Sequence, residues 1–217
     1  MSSVIFEERP QTLGEEIANT ISHGLGFLLA IASLPILVVM ATRHGTAVNI
    51  VAVTVFSVTM MLLYLSSTLY HAVPEGRVKE FLGRVDHAAI YLFIAGSCTP
   101  FALAGTEHAD TWPWLSAVWA LALAGMLLKL ADRLRRPLMS TLLYLGFGWL
   151  AAAAALPAMP QMSARSLGLL LAGGLAYTVG AAFYLLGRRM RYGHLIWHLL
   201  VMLGCGCHLL AIAPVGG

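Results

Sequence analysis

The stretch RRMRYGHLIWHLLVMLGCGCHLLAIA, residues 188–213, decides what kind of protein this is. A basic cluster, Arg188, Arg189 and Arg191, leads into a long run without a single Asp, Glu, Lys or Arg. At 1.5 Å per residue, about 20 helical residues cross the roughly 30 Å hydrocarbon core of a bilayer. The composition of the whole chain agrees with that reading. Hydrophobic residues make up 59% of the 217, charged residues 11%, and the mean hydropathy is +0.80. A soluble domain carries about 25% charged residues, so this chain cannot cover a water-soluble globule. The short alternating segments of a membrane barrel are absent. The sequence therefore predicts an all-α integral membrane protein.

Seven apolar segments stand out, over residues 18–42, 47–73, 84–105, 112–131, 138–157, 166–187 and 194–213. Pro35 and Pro100 fall inside the first and third, and Pro157 and Pro160 punctuate the turn after the fifth. Ala172, Ala176 and Gly180 recur at four-residue spacing in the sixth, a small-residue stripe suited to close helix packing. Lys and Arg gather in alternate connections, eleven of the thirteen on one side, with Arg43 and Arg165 on the other. The positive-inside rule then predicts a cytoplasmic N-terminus and a C-terminus outside, in a multi-pass protein of the cell membrane. That distribution accounts for the net charge of +3 without nucleic acid. The first sixteen residues, MSSVIFEERPQTLGEE, are polar and lack the pattern of a cleavable signal. They read as a short cytoplasmic segment (1–16) before a single seven-helix domain (17–217). Cys98, Cys205 and Cys207 lie in apolar runs and read as packing residues, with no disulfide framework.

Ionisable residues inside a membrane are costly and point to function by default. The predicted topology puts His23, His71, Asp86, His87, His194 and His198 in one layer at the inner face. His44 and His108 fall in outer loops, and His208 lies about 21 Å along the seventh helix from His194. His194 and His198 are four apart, on one helical face, and both can reach one ion. The glutamate of a zincin helix is missing, since leucine follows His194, so a general base must come from another helix. His71 can supply a third nitrogen, which would complete the three-histidine set of a catalytic zinc. Asp86 fits an outer position, holding a water or taking its proton, and Ser67 lies one turn before His71. Each residue also has a plain reading. The histidine pair and His71 can be interfacial, Asp86 can be a helix-start residue favoured by the macrodipole, and His23 and His87 can be structural.

At these residues the chain resembles the hemolysin III family, the bacterial branch of the progestin and adiponectin receptor family. NTISHGLG is similar to its first-helix motif, SSTLYH to its Ser-x-x-x-His, DHAAIYLFIAGSCTPF to its third-helix signature and HLIWH to its seventh-helix His-x-x-x-His. The resemblance implies a seven-helix bundle in which His71, His194 and His198 bind zinc. By the same resemblance Asp86 holds or deprotonates a water there, and Ser67 is the serine of the second-helix motif. The wider superfamily suggests ceramidase-like hydrolysis of a lipid amide or ester, with a membrane lipid as substrate. A lipid-binding receptor or regulator with structural zinc, and a haemolysin-type cytolytic protein, are the alternatives. Oligomeric state is not legible in the sequence.

Overall fold

A computed structural model describes residues 10–103, 111–154, 156, 160, 162–187 and 189–213. These form seven α-helices and, among the described residues, no strand. They are α1 (Leu13–His44), α2 (Ala47–Ala72), α3 (Arg77–Ala102), α4 (Thr111–Leu130), α5 (Pro137–Ala154), α6 (Ala164–Gly187) and α7 (Gly193–Ile212). Five of them, α1, α2, α4, α6 and α7, are long and apolar enough to cross a membrane on that ground alone. The large apolar side chains face outward as well as inward. Leu28 and Ile36 on α1, Leu127 on α4, Leu175 on α6 and Leu203 on α7 are all exposed. Such a surface is stable against lipid and not against water.

Helix α3 is the polar exception, because it is the most enclosed. It packs against α2, α4, α5 and α7, so its outward-facing surface is small. A helix wrapped by protein can carry Lys79, Arg84 and Asp86 without turning them to lipid. Helix α1 packs on α2 and α7, and α6 lies along α7. Pro35 and Pro100 sit within α1 and α3 without ending them.

Helix α1 begins five residues earlier than the apolar pattern suggests, at Leu13 rather than 18. Thr12 and Glu15 form a capping box: the Thr12 N–H donates to Glu15 Oε2 (2.9 Å), and the Glu15 N–H donates to Thr12 Oγ1 (3.4 Å). Capping satisfies the orphan amides of the first turn, so a polar turn joins the helix. Glu15 and Glu16 thereby become helical.

The small-residue stripe of α6 is shifted. Ala172 is exposed, and the buried small residues are Gly173, Ala176 and Gly180. A Cβ at Gly180 would stand 2.8 Å from the Trp197 ring, so only glycine lets α6 approach α7 this closely. His44, expected in a loop, is the last residue of α1, whereas His108 lies outside the described residues.

Candidate metal centre

Four helix ends meet at one end of the bundle, where α1, α3 and α7 begin and α2 finishes. His71 stands in the last turn of α2, and His194 and His198 occupy the first two turns of α7. Their rings crowd together, with centroids 5.0 Å apart for His71–His194, 5.0 Å for His71–His198 and 4.6 Å for His194–His198. One ligand atom from each lies within 4.8 Å of the others. Two imidazole nitrogens on one tetrahedral zinc stand about 3.3 Å apart, so small ring rotations suffice to bring the three onto one ion.

Hydrogen bonds around the cluster decide which nitrogens face inward. His71 donates from Nδ1 to Glu16 Oε2 at 2.7 Å. The Ser22 hydroxyl gives its hydrogen to the Asn19 carbonyl (2.8 Å), so at 3.1 Å it accepts from His198 Nδ1. Both imidazoles are thus set with the proton on Nδ1 and the lone pair on Nε2. His71 Nε2 and His194 Nε2 are buried with no hydrogen-bond partner. Leaving such atoms unpaired costs roughly 1–3 kcal/mol each. Converging, unpartnered imidazole nitrogens are what a metal ion resolves, and the residues present fit zinc or another imidazole-accepting ion.

The cluster forms one end of a cavity of about 530 Å³. Ser67, Asp86, His194 and His198 line it, while His71 lies behind them with its side chain fully covered. Asp86 is buried, and the Ser67 hydroxyl, also buried, has no hydrogen-bond partner. The cavity walls are otherwise mostly apolar, running past Ile90, Phe93, Leu145 and Tyr177 to His208. Trp149 on α5 and Leu171 on α6 both line the cavity and are exposed.

His87 and His23 take separate places. His87 donates from Nδ1 to the Gly83 carbonyl (2.6 Å) and accepts at Nε2 from the Tyr184 hydroxyl (3.0 Å). Both its nitrogens are engaged, which makes it a structural residue beside the centre. His23 stacks on His198, with centroids 3.6 Å apart and planes 8° from parallel. Neither of its nitrogens has a hydrogen-bond partner.

Sequence reading missed the outer shell entirely. Glu16, Ser22 and Lys79 come from α1 and α3, and none belongs to a ligand-spacing pattern. One signal was available for Glu16: Thr12-x-x-Glu15 is a capping box, which would have moved Glu16 from a tail into the first turn of a helix.

Seven helices with apolar outer faces, closed over a three-histidine cluster in which His71 and His198 are buried and His194 half-buried, define a multi-pass membrane protein with a site able to hold a metal ion. The family described as Haemolysin-III related matches residues 11–209, and the chain belongs to it. It is 42% identical over 208 residues to Hemolysin-3 of Bacillus cereus, covering 94% of each chain. It is 42% identical over 193 residues to the Hemolysin-3 homolog of Bacillus subtilis (strain 168), covering 89% of this chain and 90% of the relative. The human Monocyte to macrophage differentiation factor is a more distant relative, 25% identical over 211 residues (93% of this chain and 84% of the relative). No solved structure matches.

Proposed function

We propose that this protein is a zinc-dependent hydrolase embedded in the cell membrane, cleaving an amide or ester bond of a lipid near the inner leaflet. One observation carries the reading: Ser67, Asp86, His194 and His198 line one largely apolar cavity, with His71 packed against the two α7 histidines. His71, His194 and His198 would hold the ion. Zinc, when bound, supplies Lewis-acid polarisation of a carbonyl and a nucleophile at neutral pH.

The chain's own residues supply the remaining functions. Asp86 is the general base, taking the proton of the attacking water and returning it to the leaving group. Ser67 holds that water or the carboxylate in place through its uncommitted hydroxyl. The apolar walls exclude bulk water and align the lipid chain, so the scissile bond arrives at the polar end. An entrance between α5 and α6 lets a lipid come in from the bilayer without leaving it. The bias of Lys and Arg toward the end carrying the histidines supports a cytoplasmic-side position for that end.

Elemental analysis of the purified protein should find about one zinc per chain, lost in His194→Ala/His198→Ala. Asp86→Ala should keep the zinc and lose at least about 100-fold in hydrolysis of a lipid amide or ester, in the range of general base catalysis. Full turnover by metal-free protein would overturn the reading. A second reading is a lipid-binding regulator in which zinc is structural. It is favoured by the placement of the ligands, which would let an ion tie α2 to α7 whether or not a bond is cleaved. Stoichiometric zinc with lipid binding and no product in any lipid class would establish it. The relatives' name Hemolysin-3 attaches a cytolytic reading, which the outer surface disfavours. Exposed apolar side chains on all seven helices leave no water-soluble form from which a pore could insert.

A further inference from the structure

We infer that Glu16 is a positioning residue for this centre: its carboxylate, anchored by Lys79, holds His71 in the tautomer and orientation that turn Nε2 toward His194 and His198. The inference rests on the metal reading above and extends it to residues outside the ligand set.

The two oxygens of Glu16 are divided between two partners. Oε2 accepts from His71 Nδ1 at 2.7 Å, and Oε1 pairs with Lys79 Nζ at 2.9 Å. The His71 side chain is fully covered, Lys79 is 6% exposed and Glu16 17%. Lys79 is itself held, because Nζ also donates to the carbonyls of Tyr70 (3.3 Å) and Val73 (3.2 Å) at the end of α2. An ammonium and a carboxylate this covered depend on each other, since removing either strands the other. The carboxylate is therefore fixed in space, and it accepts from the one ring nitrogen that cannot also face the cluster. A ligand imidazole whose other nitrogen donates to a carboxylate is fixed in orientation and made a better donor to metal.

The neighbouring residue ties the other ligand-bearing helix to the same turn. Glu15 Oε1 accepts from the Tyr192 N–H at 2.8 Å, two residues before His194. Adjacent carboxylates on α1 thus fix the end of α2 and the start of α7 relative to each other. A purely structural ion pair would stabilise the fold without distinguishing the apo and metal-bound protein. A positioning residue must change metal affinity.

The test is zinc affinity, measured by chelator competition on the full-length protein in detergent, together with melting of the metal-free form. Wild type, Glu16→Ala, Glu16→Gln, Lys79→Met and His71→Ala are compared. Glu16→Ala should bind zinc about 10- to 100-fold more weakly, the usual effect of losing such an outer partner. Glu16→Gln keeps an oxygen that can accept from Nδ1, so it should recover part of that loss. Lys79→Met should weaken zinc in the same direction, because the carboxylate loses its anchor. Zinc binding by Glu16→Ala within twofold of wild type, while His71→Ala has lost it, would overturn the positioning role alone. Equal zinc binding by wild type and His71→Ala would instead overturn the metal reading beneath it. If Glu16→Ala does not fold, Lys79→Met and Glu16→Gln decide: wild-type affinity in both overturns the inference, and weakened affinity in Lys79→Met supports it.

Discussion

A histidine becomes a metal ligand through what its other nitrogen does. Ser22 gives its proton to the Asn19 carbonyl and so has only an acceptor to offer, which leaves the proton of His198 on Nδ1. In Ser22→Ala that N–H loses its partner in a buried site, and the ring loses its orientation. Zinc affinity should fall about 10-fold, read by chelator competition, with helical content unchanged by circular dichroism. Unchanged affinity would mean that packing against His23 alone holds the His198 ring. His87 shows the converse: with both nitrogens already bonded, it has nothing left for an ion despite standing next to Asp86. Residue type alone could not separate these histidines; their bonding partners do.

At the scale of elements, the connection between α6 and α7 governs where the His194/His198 pair starts. Tyr192 adopts a left-handed conformation (φ 57°) just before α7, and its N–H is fastened to Glu15. Gly193 and Gly187 touch backbone to backbone across this turn, so a Cβ on Gly193 would run into the Gly187 main chain. Main chain cannot swing aside as a side-chain tip can. Gly193→Ala should therefore destabilise by about 1–3 kcal/mol, the usual cost of overpacking, and displace the first turn of α7. A lowered melting temperature together with weaker zinc binding is the expected result; a fall in neither would show that the turn has slack. The same logic accounts for the α6 stripe. Four-residue spacing correctly pointed to close packing in this helix, but Gly173 replaces Ala172 on the contact face, because α7 crosses where Gly173 lies.

At the scale of the molecule, the bundle is tight around α3, and the proposed lipid entrance lies between α5 and α6, where Trp149 and Leu171 line the cavity and are exposed. Gly174 lines the cavity there, with its would-be Cβ 3.7 Å from the Trp149 ring. Gly174→Phe should plug it. Hydrolysis of a vesicle-embedded lipid should drop by roughly 10-fold or more while zinc content stays at wild-type level, a barrier increase of about 1.4 kcal/mol or more. Undiminished turnover would show that substrate arrives by another route.

The seven helices were legible in the sequence because a bilayer imposes a length and a hydrophobicity on every crossing, a constraint carried by each segment alone. Five of the helices meet it outright, and α3 departs from it because its neighbours, rather than lipid, surround it. The histidines and Asp86 could be drawn into one layer for a related reason: alternating crossings assign each helix end to a side, and depth follows. Distance within that layer is a different matter. That His71 meets His194 and His198, that Asp86 and Ser67 line the same cavity as the α7 pair, and that Glu16, Ser22 and Lys79 stand behind the histidines depends on how the helices are arranged around α3. That arrangement comes from side-chain packing and glycine contacts between segments far apart in the chain. No periodicity within one segment records it, and only the tertiary structure decided it.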